Sequence, residues 1–501
     1  MPIRITGLNS GLDTEAIISA LVSSYNYKTQ KYEKAQTKLS WKQDAWKELN
    51  TKIYSLYNNV GNLRFNSAYK LKTAAVSDTT KVSVTAGANA TNGSYSVQVT
   101  KLAKSGYLTG AELGRDTKST STLKDLGYSG EKGKISLTVA GEQKEITVSE
   151  DTTIQEVVNQ LKEAGVNASF DEKNKRIFVS AKNAGEANDF ELVGSNGAGT
   201  AILNSLGLTV DAGATRVEGS NAEIYVNGAK YTNDTNTFSI NNMTFTATAV
   251  TGDTYDPTEA SAVSVTVNTD AQAIYDKVKD FLSQYNSIIN EMTSLYNSDS
   301  AKGYEPLTSD EKDQMSDTEV EKWEAKIKAS ILRRDDTLSG IIGAMTNAMS
   351  QSVKVNGEDL HLSDFGIQTL GFLNAPKNEH NAYHIDGDED DANTSGKTDK
   401  LMAAIAEDPD KVIEFMMGLS KNLYQAVDAK MKSTTLSSSY TIYNDKEMAS
   451  EYSDYTSLIS KWQDRLTQQE EYYYKKFAAM ETALSKLNSQ TSSLSGLFGG
   501  M

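Results

Sequence analysis

From Ile18 to Leu63 the apolar positions recur every third or fourth residue: Ile18, Leu21, Tyr25, Lys28, Tyr32, Ala35, Leu39, Lys42, Trp46, Leu49, Ile53, Leu56, Val60 and Leu63. The steps alternate three and four throughout, and Lys28 and Lys42 alone interrupt the apolar or aromatic character. That is a heptad seam, sustained long enough to predict a coiled coil. No Pro or Gly breaks it before Gly61, so one helix would extend roughly 70 Å at about 1.5 Å per residue. A compact domain cannot cover a rod of that length along its whole side. A second seam lies at the far end: Trp462, Leu466, Gln469, Tyr473, Phe477, Met480, Leu484, Leu487, Thr491 and Leu494. Two arrangements satisfy the pair. Either the helices, lying between Ile5 and Ser495, pair within one chain, or they wait for identical neighbours around an axis. Lys28 and Lys42 favour the second, because polar seam residues lower stability and restrict register.

Between the seams the period changes. Asp13, with Glu15 in the first turn, predicts the start of the first helix, which should run to about Asn66. From Ala74 to Val267 the chain is rich in Thr, Ser, Val, Gly and Asn, and segments such as Gly93-Ser-Tyr-Ser-Val-Gln-Val-Thr alternate at period two. Val226-Asn227-Gly228-Ala229 fits a type I′ hairpin. Within this block, residues 113–210 predict a small α+β insertion: strands at Lys134–Val139 and Lys144–Val148, a helix carrying Ile154, Val157, Val158 and Leu161 that stops at Gly165, and further strands near Ala168 and Arg176. The adjoining Thr117-Lys-Ser-Thr-Ser-Thr reads as a linker. Helical periodicity returns at Asp270, with Ile274, Val278, Phe281, Tyr285, Ile288, Met292 and Leu295, then a shorter seam through Val320, Trp323, Ile327 and Ile331. Val355-Asn356-Gly357-Glu358 predicts a hairpin, Ile367 a strand, and Asp408-Pro409 an N-cap and first helical residue. Ser433–Ser439 reads as a joint before the last helix.

The expected fold class is multidomain α+β: long terminal coiled-coil helices, a helical bundle domain and inserted β-rich head domains. The expected domains are terminal legs at 1–43 and 455–501, a mainly helical domain at 44–72 and 270–454, a β-rich head at 73–112 and 211–269, and the insertion at 113–210. Helices from both sides of the β block would pack together.

Composition narrows what such a chain does. At 501 residues more than one domain is expected. A net charge of −16 argues against nucleic acid or an anionic membrane as partner. Cysteine is absent, which removes disulfides, zinc thiolates and cysteine nucleophiles. No apolar run is long enough to span a membrane, and the opening residues lack the apolar core of a secretory signal peptide. Three motifs fall short of chemistry. His380 and His384 have zinc-protease spacing, but Asn381 stands where the glutamate belongs, so a surface histidine pair is expected. Gly396-Lys397-Thr398 ends like a phosphate loop, yet Asp391 replaces its first glycine and Asp386, Asp388, Glu389 and Asp390 would repel a triphosphate. Read as a calcium loop from Asp386, the same run has Asp391 at the sixth place and Lys397 at the twelfth, so a solvated hairpin tip is expected. His361 has no nucleophile beside it. No catalytic site, cofactor or metal is expected.

Five segments, in order, resemble the flagellar filament cap family, also called hook-associated protein 2. They are Ser10-Gly-Leu-Asp-Thr-Glu-Ala-Ile17; Thr91-Asn-Gly-Ser-Tyr-Ser-Val-Gln-Val-Thr-Lys-Leu-Ala103; the helix from Asp270 through Phe281 to Tyr285-Asn286; Phe365-Gly-Ile-Gln-Thr369; and Phe477-Ala-Ala-Met-Glu481 through Leu487-Asn-Ser-Gln490. Lys134–Val179 is similar to an insertion module of flagellin-related proteins. The hairpin at 385–391 and the charged helix at 310–328 match none of these motifs. The resemblance implies export without a cleaved signal peptide and an extracellular place at the filament tip. It implies a ring, commonly described as a pentamer, that keeps flagellin from leaking and promotes its folding and polymerisation. It also implies flagellin as partner and an export chaperone at the C-terminal helix. Adhesion to host mucin or glycan through the head domains, and another axial role (flagellin or hook–filament junction), stand as alternatives. A third is a metal-dependent hydrolase using His380 and His384. The residues expected at the oligomer and flagellin interface are Ile18, Leu21, Tyr25, Leu39, Trp46, Leu49, Ile53, Leu56, Trp462, Leu466, Tyr473, Phe477, Met480, Leu484, Leu487 and Leu494.

Overall fold

A computed structural model describes residues 10–498. The opening residues read above for a signal peptide, and Ile5, lie outside the described stretch. The chain divides into two compact units, one drawn from its two ends, up to Tyr69 and from Ala271, and one from Lys70–Asp270.

The first unit opens with α1 (Thr14–Leu63), whose N-cap Asp13 accepts a hydrogen bond from the Ala16 amide. The helix stops three residues short of the expected Asn66, and Phe65 is already extended.

The second unit is built in two lobes around separate cores. Its strands begin with β1 (Lys72–Val76), β2 (Val82–Ala86), β3 (Gly93–Lys101) and β4 (Tyr107–Thr109). Then come β5 (Gly133–Val139), β6 (Glu142–Val148), α2 (Ile154–Ala164), β7 (Asn167–Asp171), β8 (Arg176–Ser180), β9 (Phe190–Gly194) and α3 (Gly197–Ser205). The chain closes the unit with β10 (Thr215–Val217), β11 (Ala222–Val226), β12 (Ala229–Asn233), β13 (Thr237–Ile240), β14 (Met243–Ala247) and β15 (Val263–Thr269). One lobe packs the antiparallel sheet β1-β15-β3-β11-β12 on the sheet β13-β14-β2. Val97, Val99, Ile224, Phe245 and Val265 fill the space between them. Alternation at period two sends these residues to one face of each strand. The β11–β12 turn is the expected hairpin, with positive φ at both Asn227 and Gly228.

The other lobe has its own core, from Leu108 to Ala214. Sheets β10-β4-β8-β7 and β6-β5-β9 enclose Ile135, Leu137, Ile177 and Val179 together with the apolar face of α2. A Thr153–Glu156 capping box starts α2 and Gly165, at φ 125°, ends it. The stretch expected as a linker is docked instead. Thr117 is buried, and the carbonyls of Ser119 and Ser121 accept from the first amides of α2. A Ser/Thr-rich composition marks a loop but says nothing of whether the loop is anchored. Between the lobes' cores, Asp189 accepts from Arg216 at 2.6 Å and from the Gly219 amide at 2.9 Å.

The first unit resumes with α4 (Ala271–Tyr296), α5 (Ser309–Lys312), α6 (Asp317–Ala329) and α7 (Asp336–Ser350). Hairpin β16 (Val353–Val355) and β17 (Glu358–Leu360) follows, then the pair β18 (Ile367–Gln368) and β19 (His384–Ile385). The unit ends with α8 (Lys400–Glu407), α9 (Pro409–Met431) and α10 (Asp445–Phe498). α9 packs on both α1 and α7, and α4 on α7 and α8. Trp46, Leu49, Ile53, Phe281, Tyr285, Phe415 and Leu419 are fully enclosed in this bundle. Among the described residues no helix is long and apolar enough to cross a membrane.

Candidate functional site

The two terminal seams meet within the chain. α1 and α10 run antiparallel: Trp46 stacks on Tyr443 just before α10, Tyr32 lies against Tyr455, Tyr25 against Trp462, and the hydroxyl of Ser10, just before α1, donates to Glu481. The partner positions step down α10 as they step up α1, as a helical hairpin requires. Polar groups flank the seam, with Gln36 donating to Thr456 at 2.7 Å and Gln463 to Glu33 at 3.2 Å.

Cover along this pair is uneven. Of the residues expected at the interface, Leu39, Trp46, Leu49, Ile53 and Leu56 are buried in the bundle, and Ile18 is buried nearer the N-terminus. Tyr25 is half-buried. Leu21 is 45% exposed while its neighbour Val22 is 3% exposed, so the apolar face there passes through Val22. An α-helix of 3.6 residues per turn drifts from a strict seven-residue repeat, and the burial follows the helix. On α10, Trp462, Leu466, Tyr473, Phe477, Met480 and Leu484 are each half-buried. Leu487 and Leu494 lie past Glu481 and are 57% and 54% exposed. The result is a 54-residue helix whose stripe from Trp462 to Leu494, apolar but for Gln469 and Thr491, is covered by one neighbour on one side.

The two lysines in the first seam have partners that sequence spacing could not reveal. Lys28 sits 4.3 Å over the Trp462 ring, and Lys42 pairs with Asp335 at 2.8 Å. The charged segment at 310–328 also bonds to α1. Glu311 pairs with Lys34 at 2.8 Å and Lys328 lies over the Trp41 ring. These contacts join residues hundreds of positions apart, where no periodic signal reaches.

Two expectations for the polar loop need correction. His380 and His384 are not a surface pair. His384 belongs to β19, its ring is 12% exposed, and Nδ1 lies 2.5 Å from Asp391 Oδ2. His380 is half-buried and stacks on Phe372. The acidic run is not a solvated tip either. Asp386 and Asp388 are buried. Lys397 reaches Asp386 at 2.8 Å, and Lys279 on α4 reaches Asp388 and Asp390, each at 2.6 Å. Burial pushes the Asp386 carboxyl up, but the Lys397 ammonium and the Gln368 amide outweigh it and hold the carboxyl below its usual range. A charge run reads as solvated only while its countercharges, here supplied by α4 and by the loop's own end, are unknown. Lys397 is thereby committed to a carboxylate. Among the described residues no group of three or more His, Cys, Asp or Glu side chains is placed to hold a metal.

Comparison with known proteins agrees with this architecture. The family profile for the flagellar hook-associated protein 2 C-terminus matches residues 219–489, and that for its N-terminus matches 10–106. The stretch between them, 107–218, is the one that holds the second lobe's core. Flagellar hook-associated protein 2 of Halalkalibacterium halodurans is 25% identical, with 99% of each chain covered. Its namesake from Thermotoga maritima is 26% identical over 71% of this chain and 54% of its own. A crystal structure of the D1-D2-D3 domains of the Escherichia coli flagellar cap protein FliD shares the fold. It has a TM-score of 0.50 at 21% identity and covers 78% of this chain and 97% of that one. With more than half of its length matched by one profile and its beginning by the companion profile, the chain belongs to the flagellar hook-associated protein 2 family.

Proposed function

We propose that this chain caps the distal tip of the bacterial flagellar filament, outside the cell. It assembles there as a closed ring that holds arriving flagellin back from escape and promotes its folding into the lattice. The role is structural and needs no bond-breaking chemistry. The observation that carries it is the half-covered stripe of α10. Apolar side chains from Trp462 to Leu494 recur at helical spacing, yet α1 encloses none of them fully. Burying apolar surface is the main favourable term in association, so neighbouring helices at a growing tip complete what one chain leaves open. On this reading the ends, 1–43 and 455–501, act as legs. The ring contains five copies, and the exposed end of α10 is shielded by an export chaperone before assembly. Electron microscopy of the purified full chain tests this. Small closed rings are expected, whereas monodisperse monomers or long filaments would overturn it.

A second reading, adhesion to host mucin or glycan, has an observation of its own. The outer face of β10-β4-β8-β7 aligns exposed Val217, Tyr107 and Phe178 with Asn167, Ser169 and Ser180. Part of this face, together with Lys162 and Lys182, lines a groove of about 530 Å³. Deleting residues 113–210 separates the roles. Lost mucin attachment with intact motility would place adhesion in that lobe, and unchanged attachment would remove the reading.

A further inference from the structure

One constellation in the bundle lies off the α10 stripe assigned above to assembly. Tyr57 on α1 and Tyr424 on α9 stack with ring centroids 4.5 Å apart and planes inclined by 19°. Their hydroxyl oxygens are 2.6 Å apart, and Tyr57 donates to Asp428 Oδ1 at 2.9 Å. A phenol has one proton to donate, so the hydrogen shared by the two tyrosines is Tyr424's. The protons stand in a file: Tyr424 to Tyr57, Tyr57 to Asp428. Near-parallel rings with their hydroxyls together also bring the Cε carbons beside each oxygen to the same side of the stack.

The surroundings distinguish the two rings. The Arg64 guanidinium lies 3.8 Å over Tyr424, and that positive charge disfavours loss of an electron from this ring. Tyr57 has a carboxylate ready to take its proton, which favours loss of an electron from Tyr57 first. Tyr57 itself is enclosed, but Tyr54 and Tyr440 are exposed at 37% and 56% and stand 6.0 and 6.4 Å from it, centroid to centroid. These two rings give electrons a short aromatic route to the surface, where a bulky oxidant can reach.

We propose that Tyr57 and Tyr424 form an oxidative cross-linking site, at which a haem peroxidase using hydrogen peroxide joins the two rings as dityrosine and ties α1 to α9. One electron leaves Tyr57 through Tyr54 or Tyr440 while its proton passes to Asp428. A second leaves Tyr424, which is half-buried, and its proton is released to water, as is the one held by Asp428. The paired radicals form one Cε–Cε bond, and the displaced ring hydrogens return to the phenol oxygens. Two electrons and two protons are given up in all, and they reduce one hydrogen peroxide to two waters. The bond would link positions 367 residues apart in a chain that has no cysteine for a disulfide, and closing so long a loop restricts the unfolded chain.

The test treats the full-length protein with a haem peroxidase and hydrogen peroxide, then maps cross-linked peptides by mass spectrometry. The expected product, in the monomer fraction, is a Tyr57–Tyr424 peptide pair two hydrogens lighter than the sum of its parts, with dityrosine fluorescence. Tyr424→Phe keeps the ring and should abolish that pair. Tyr54→Phe with Tyr440→Phe should slow its appearance several-fold, and Asp428→Asn should slow it as well. Should a variant fail to fold, the wild-type map decides alone. Cross-links confined to other tyrosines, such as the neighbouring Tyr472 and Tyr473 of α10, with Tyr57 and Tyr424 recovered unmodified, would overturn the proposal.

Discussion

α1 lives in two environments. From Leu39 to Leu63 its seam is enclosed by the bundle, and Trp46, Leu49, Ile53 and Leu56 have almost no exposed surface. From Thr14 to Tyr32 the same kind of seam runs beside α10, and Tyr25 and Tyr32 are half-buried against Trp462 and Tyr455. The repeat is equally regular in both halves. What differs is the number of neighbours, and the comparison teaches that heptad regularity reports an appetite for burial rather than its fulfilment. The bundle half has satisfied that appetite within the chain and supplies stability. The paired half retains part of it, at Leu21, Tyr25 and Tyr32 although Ile18 and Val22 are closed, and is the half we propose for assembly.

The contrast can be broken by substitution. Trp46→Ala removes a fully buried ring from the bundle and should lower unfolding free energy by about 3–5 kcal/mol, read from denaturant melts of the full chain. A loss under about 1 kcal/mol would mean that the bundle is no better packed than the pair. Acid should weaken the bundle next. Because the Asp386 carboxyl is depressed in the folded chain, its contribution is fully present above the unfolded value of about 4 and disappears as pH falls through the lower folded value. Melting temperature should therefore drop on acidification below about pH 4, and Asp386→Asn should flatten that drop. An equally steep profile in the variant would assign the acid sensitivity elsewhere.

On the pair, effects on folding should be small and effects on assembly large. Lys28→Ala removes the cation over Trp462 and should cost about 0.5–1 kcal/mol, measured by the same melts. Leu484→Asp with Leu487→Asp should leave the bundle's melting midpoint unchanged yet stop filament growth and release flagellin into the medium. Normal filaments in that strain would refute the α10 stripe as an assembly surface.

Much of this was legible in the chain. Caps at Asp13 and Asp408, the Asn227-Gly228 turn and the stop at Gly165 act within a few residues, so local sequence specifies them. The seams were legible because burial on a helix repeats with its turn. The displacement from Leu21 to Val22 was not, since a heptad count ignores the drift of a 3.6-residue turn. Nor were Lys42–Asp335, Lys279–Asp388 and the Tyr57–Tyr424 stack, each joining positions far apart in the chain. Tyr57 stands one place off the seam, and nothing in its neighbourhood announces Tyr424.

By itself the sequence determined where the long helices and the alternating strands form, that a β-rich block interrupts a helical one, and that both ends carry apolar stripes, because hydrogen-bonded periodicity is a local property of the backbone; the shorter helices α3, α7 and α8 were not read from it. Tertiary structure alone decided which stripe meets which, how far each is covered, and that the acidic loop is ion-paired, with Asp386 and Asp388 buried. Countercharges and packing partners come from remote segments, and proximity in space is set by the whole fold rather than by any stretch of it.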